Sequence, residues 1–64
     1  MENKLSEFQE QSLTQLNKDI ESYIREINIA LYRNTFDTKR IVRYNLNNIN
    51  DVTEKMLSVL RKRS

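Results

Sequence analysis

Apolar residues recur at intervals of three and four along the first half of the chain, the spacing of an amphipathic helix. From Leu13 onward the spacing is also a heptad, which is typical of a seam between packed helices. The seam positions are Leu13, Leu16, Ile20, Tyr23, Ile27 and Ala30. We predict a helix over residues 4–33, with Asn3 or Ser6 as its cap, because Asn and Ser oxygens accept hydrogen bonds from free backbone N–H groups.

The second half has a heptad seam with one polar member inside it. Its positions are Val42, Asn45, Ile49, Val52, Met56, Val59 and Arg63, flanked by Ile41, Leu46, Thr53, Leu57 and Leu60. An apolar face of this width is typical of a helix that contacts two others in a bundle. We predict a helix over residues 38–62. A polar seam residue such as Asn45 can fix register and partner number, but we favour a partly solvated Asn near a bundle edge.

The segment Asn34–Thr38 predicts a turn between these helices. Its Asn, Thr and Asp residues are weak helix formers, because their side chains compete for backbone hydrogen bonds. Asn34 is the best candidate for a left-handed conformation, and Thr35 or Asp37 is the expected cap of the second helix. Phe36 is expected to cover the end of the helix pair as an apolar plug. A connection of this length is typical of a helical hairpin.

One unbroken helix is the alternative, because the apolar stripe of the first half continues in phase onto Ile41, Val52, Met56 and Val59. The stripe is interrupted by Asn34, Asp37 and Thr38, and this interruption favours the hairpin. The sequence therefore predicts an all-α fold: one antiparallel two-helix hairpin domain over residues 1–64, with helices at about 4–33 and 38–62.

Composition indicates that this hairpin needs a partner. The chain has 64 residues and no Cys, His, Gly or Pro, and a chain this short buries only ~60% of its unfolded surface. Small scaffolds usually need a disulfide, a metal or oligomerisation, and oligomerisation is what remains. We predict a four-helix bundle, formed by dimerisation or by docking on a helical partner protein. The predicted interface residues are Leu16, Ile20, Tyr23, Ile27, Val42, Asn45, Ile49, Val52 and Met56.

The two halves of the chain carry opposite net charges, although the net charge of the whole chain is only +2. Residues 1–33 hold four basic and six acidic side chains, whereas residues 34–64 hold seven basic and three acidic ones. A hairpin would bring Glu2 and Glu7 beside the basic run 61–63. It would also leave a basic and aromatic cluster at the bend, which is a candidate nucleic-acid or partner patch. The cluster consists of Lys39, Arg40, Arg43, Tyr32 and Phe36.

The function expected from these features is non-enzymatic. No nucleophile–base pair or metal-ligand set is present, so we expect no catalysis, cofactor, metal or small-molecule substrate. No apolar run approaches the ~18 residues of a membrane span, and no secretory signal is visible, so an intracellular, cytoplasmic location is expected. We expect a structural or adaptor subunit, or a regulator, that acts by helix–helix protein binding. The alternative is a small dimeric regulator that binds RNA or DNA through the basic cluster.

Overall fold

The computed structural model describes residues 4–62, which form two α-helices and contain no strand. Helix α1 is Glu7–Arg33 and helix α2 is Thr38–Arg61. The helices pack against each other in antiparallel directions and form a body of 50 × 16 × 15 Å. The predicted hairpin is confirmed, and the alternative of one unbroken helix is wrong.

A capping box begins α1. The Ser6 hydroxyl accepts a hydrogen bond from the Gln9 backbone N–H at 3.1 Å, and the Gln9 side-chain oxygen accepts one from the Ser6 N–H at 3.0 Å. This reciprocal pair satisfies two backbone donors that a helix start otherwise leaves free. The predicted cap at Ser6 is confirmed, although α1 begins at Glu7 rather than at residue 4. The other candidate, Asn3, lies outside the described residues.

The chain leaves α1 through Asn34, which has a left-handed backbone conformation with φ 48° and ψ 61°. Its N–H donates to the carbonyl oxygen of Ala30 at 2.8 Å and closes the last turn of the helix. Asn tolerates this conformation better than most residues, and the chain has no Gly to use instead. The prediction for Asn34 is confirmed.

Thr38, rather than the expected cap residues, joins the two helices across the turn. Its hydroxyl accepts from the Thr35 N–H at 2.8 Å and donates to the Ala30 carbonyl oxygen at 3.1 Å. Asp37 occupies the cap position of α2, but its side chain makes no capping hydrogen bond. The Thr35 hydroxyl instead accepts from the Asp37 N–H at 3.3 Å, within the turn. The prediction of Asp37 as the cap residue of α2 is therefore confirmed for its position, but without a capping hydrogen bond from its side chain.

Phe36 does not cover the end of the helix pair. Its side chain is 96% exposed at the tip of the turn. Thr38 takes the buried position beneath the turn. It forms hydrogen bonds with Thr35 in the turn and with Ala30 at the end of α1. The prediction that Phe36 forms an apolar plug is therefore wrong.

At the opposite end of the hairpin, Gln9 ties α1 to the end of α2. Its side-chain nitrogen donates to the carbonyl oxygens of Val59 at 3.1 Å and Lys62 at 3.0 Å. The charge contact expected at this end is not formed between described residues, because Glu7 has no ion pair with Arg61 or Lys62 there. Its other members, Glu2 and Arg63, lie outside the described residues.

The core between the helices is small and partly polar. Ala30 and Val52 are its buried apolar residues, and Gln9, Thr38 and Asn45 are buried polar ones. Asn45 is only 3% exposed, and its side-chain nitrogen donates to the Ile41 carbonyl oxygen at 2.9 Å. The interpretation of Asn45 as a partly solvated edge residue is therefore wrong, because its seam position places it between the helices. None of the described side chains is completely buried.

Candidate protein-binding surface

Large apolar side chains remain exposed over much of the hairpin. Eleven of them are exposed among the described residues, against two buried apolar residues. The eleven are Leu5, Phe8, Ile24, Ile29, Leu31, Tyr32, Phe36, Tyr44, Leu46, Leu57 and Leu60. Singly exposed apolar residues are normal, but contiguous apolar patches are typical of interaction sites. Their arrangement on the hairpin therefore decides what they indicate.

The nine predicted interface residues are brought together on the paired sides of the two helices. Asn45 and Val52 are buried, and the other seven are half-buried. Those seven are Leu16, Ile20, Tyr23, Ile27, Val42, Ile49 and Met56. Because only two helices shield them, these residues form the open core of the hairpin itself. Whether they also contact another protein stays a prediction.

A groove at the hinge end joins apolar residues from both helices and the turn. It encloses about 700 Å³. Its apolar walls come from Leu31 of α1, Phe36 of the turn, and Val42 and Leu46 of α2. The charged residues that line it, Lys39 and Arg43, are both basic.

The apolar surface of this groove continues along the same side of the hairpin. Ile24 stands seven residues before Leu31, and Leu60 stands fourteen residues after Leu46. Seven residues are close to two helical turns, so each pair shares one side of its helix. Leu57, three residues before Leu60, belongs to the same stripe. We call these five exposed residues, Ile24, Leu31, Leu46, Leu57 and Leu60, the apolar face.

A second groove lies on the other side of the hinge end. It is lined by charged residues of both signs together with Ile29, Ala30, Thr35, Thr38 and Ile41. Its charged residues are Glu26, Arg33 and Asp37. The two grooves therefore differ in charge, because the charged residues that line the first are all basic and those that line the second are of both signs.

The basic and aromatic cluster predicted at the bend is divided by the structure. Lys39, Arg43 and Phe36 line the hinge-end groove. Arg40 instead turns toward Asp37, with 3.4 Å between its guanidinium nitrogen and the carboxylate oxygen. Tyr32 is 91% exposed and is not part of the groove lining. The structure therefore places three members of the cluster in the groove and two outside it, and the role of the cluster as a binding patch stays a prediction.

Sequence reasoning missed that the flanking residues, rather than the seam, form the exposed apolar surface. In the sequence, Leu46 and Leu60 stand out only as flanks of the second seam. The signal was the width of the apolar surface on each helix, because one antiparallel partner covers a single seam and leaves the flank open. Gln9 and Thr38 were also missed as ties between the helices, since their partners are backbone carbonyls.

Metal-ligand clusters and membrane spans were searched for among the described residues. Residues 4–62 contain no cluster of three or more potential metal ligands of the Cys, His, Asp or Glu type. No helix among them is long and apolar enough to cross a membrane. Comparisons with known proteins add no assignment, since no family model, curated protein or solved structure matches the chain.

Proposed function

We propose that this protein is a helical interaction module, a structural or adaptor subunit or a regulator that acts by helix–helix protein binding. The observation that carries the proposal is the apolar face on one side of a hairpin that has almost no buried apolar core. Burying a Leu or Ile side chain stabilises a complex by about 1.5–3 kcal/mol. The five residues of this face are therefore a substantial source of binding free energy.

The arrangement supports a bundle rather than a flat contact. Each helix already uses one stripe against its neighbour and presents a second stripe beside it. Helices with two such stripes are typical of four-helix bundles, in which each helix contacts two others. The proposed complex adds two more helices over the apolar face, supplied by a second copy or by a partner protein.

The nucleic-acid alternative has less support. Phosphate binding depends on several basic groups acting together, and one of the three expected groups, Arg40, is paired with Asp37. The remaining two, Lys39 and Arg43, border an apolar groove. This combination of charge and apolar surface fits an amphipathic helix better than a phosphate backbone.

Affinity capture with three forms of the chain tests the proposal. The forms are wild type, Leu46→Glu and Tyr44→Glu. Leu46 and Tyr44 are 52% and 66% exposed on the same helix, but two residues apart, so they point to nearly opposite sides. We expect wild type and Tyr44→Glu to retain the same protein, either an untagged copy or another chain, and Leu46→Glu to lose it. Retention of no protein by the folded wild type, or equal retention by all three forms, would contradict the proposal.

A further inference from the structure

We infer that the apolar face is covered by a second copy of this chain, with the two hinges at the same end of the bundle. This inference rests on the proposed function and specifies its partner and geometry. Three features of the described residues support it. They are the area of this side of the hairpin, the opposite charges of the two helices, and the positions of the charged residues along the helix axes.

One whole side of the hairpin, with its apolar and polar residues together, has the area that a stable dimer needs. The hairpin is 50 Å long and 16 Å wide, so one side presents about 800 Å². A standard protein–protein interface buries about 800 Å² per partner. A second hairpin of identical length covers this side from end to end.

The two helices carry opposite charge. Helix α1 holds five carboxylates and three basic side chains, whereas α2 holds five basic side chains and two carboxylates. Stacking two hairpins face to face places α1 of one copy over either α1 or α2 of the other. Opposite charges across an interface favour association, and like charges facing each other oppose it. The charge difference therefore selects the arrangement with α1 over α2.

Individual charged residues beside the apolar face also favour the arrangement with α1 over α2. On α1, Glu21 stands three residues and Glu10 fourteen residues before Ile24, so both lie near its side of the helix. On α2, Arg43 lines the hinge-end groove, and Arg61 follows it by eighteen residues, which is five full turns. Glu54 stands seven residues before Arg61 on the same side of α2. Helix α1 thus borders the face with two carboxylates, and α2 borders it with two guanidinium groups and one carboxylate.

The levels of these groups match when the hinges lie at the same end. Within one hairpin Ala30 stands level with Thr38, and Gln9 with Val59. A two-fold axis parallel to the helices keeps every residue at the same height along the bundle in both copies. A residue of α1 is therefore level with the same residue of α2 in the second copy as in its own. Glu21 then lies within about one helical turn of Arg43 of the second copy. Glu10 likewise lies within about one turn of Arg61 of the second copy.

The other face-to-face arrangement places the hinges at opposite ends. It sets α1 against α1 and α2 against α2. The basic residues Lys39, Arg43 and Arg61 of one copy then face the basic helix of the other, and the carboxylates of α1 face carboxylates. It buries the same apolar residues without the favourable charge pairs, so it is the competing geometry that a test must separate.

The distance between hinges in the dimer tests this inference. The chain has no cysteine, so Phe36→Cys carries one nitroxide label at a 96% exposed site. Hinges at the same end lie about one interhelix spacing, ~10 Å, apart, so the two labels lie within about 20 Å of each other, whereas opposed hinges lie nearly one hairpin length of 50 Å apart. We expect the short distance by double electron–electron resonance on samples whose dimer mass is confirmed. A dimer with the long distance would overturn the geometry but leave helix–helix binding intact.

Charge reversal provides an independent readout. Glu21→Lys and Arg43→Glu each place like charges across the interface twice, and we expect each to raise the dimer dissociation constant about tenfold. The two substitutions together restore opposite charges and are expected to restore affinity. Absence of rescue would overturn the proposed pairing. If the chain is a monomer at high micromolar concentration, the inference that a second copy is the partner is overturned. The proposed function fails only if the capture experiment also retains no other protein.

Discussion

The hydroxyl of Thr38 donates a hydrogen bond to the backbone carbonyl oxygen of Ala30, 3.1 Å away, and joins the first turn of α2 to the last turn of α1. The hydroxyl oxygen of Thr38 also accepts a hydrogen bond from the Thr35 N–H at 2.8 Å. Both residues of the first pair are buried. A single side chain therefore holds the turn closed in a chain that has neither Gly nor Pro.

Replacing this hydroxyl by a methyl group is expected to destabilise the hairpin. Thr38→Val keeps the shape of the side chain but leaves the Thr35 N–H without its acceptor. It also removes the buried hydrogen bond from the Thr38 hydroxyl to the Ala30 carbonyl oxygen. Each hydrogen bond contributes about 0.5–1.5 kcal/mol, so the loss of both costs about 1–3 kcal/mol. We expect the free energy of unfolding to fall by this amount in urea titrations followed by circular dichroism. Thr14→Val, at an exposed position of α1, is the control and should change stability by less than about 0.5 kcal/mol.

Gln9 has two roles that a change to Glu separates. A Glu at this position still accepts from the Ser6 N–H in the capping box. It has no N–H group to donate to the carbonyl oxygens of Val59 and Lys62, and its charge repels them. We expect Gln9→Glu to lower the free energy of unfolding by about 1–3 kcal/mol.

The control is Gln15→Glu, an exposed position of the same helix. Its expected effect on unfolding is within about 0.5 kcal/mol. Equal stability of the two variants in thermal unfolding would show that the ties between Gln9 and the end of α2 contribute nothing.

Asn45 is the most sensitive polar position of the core. Asn45→Asp replaces an amide that is 3% exposed and bonded to the Ile41 carbonyl oxygen by a carboxylate beside that oxygen. Burial of an unpaired charge is costly, so we expect a loss of at least about 2 kcal/mol at neutral pH. Asn50→Asp, at an exposed site of the same helix, should be nearly neutral. Similar melting temperatures for the two variants would contradict the burial of Asn45.

Much of the fold follows from local signals. The seam spacing and the weak helix formers at 34–38 predicted two helices and their limits to within three residues. Asn34 and Ser6 were identified because each has a side chain suited to its backbone position. Such signals depend only on residues a few positions apart, which is why one sequence is enough to read them.

The contacts between the helices were harder to predict. Thr38 and Gln9 bond to backbone carbonyls eight and fifty or more residues away, and no side-chain pattern marks those partners. Phe36 was misplaced because its apolar character suggested burial, whereas the turn directs it outward. The exposed apolar residues lie beside the predicted interface residues, since the seam residues face each other and the flanking residues are left exposed.

The mass of the protein in solution tests most directly whether a second copy of the chain covers the apolar face. Sedimentation equilibrium compares wild type with Leu31→Glu/Leu46→Glu, two exposed positions whose change leaves the seam between α1 and α2 intact. We predict twice the 7.7 kDa of one chain for wild type at micromolar concentration, and a helical monomer for the variant. A wild type that stays a fully helical monomer, or a variant that keeps the wild-type dimer mass, would contradict a second copy on this face.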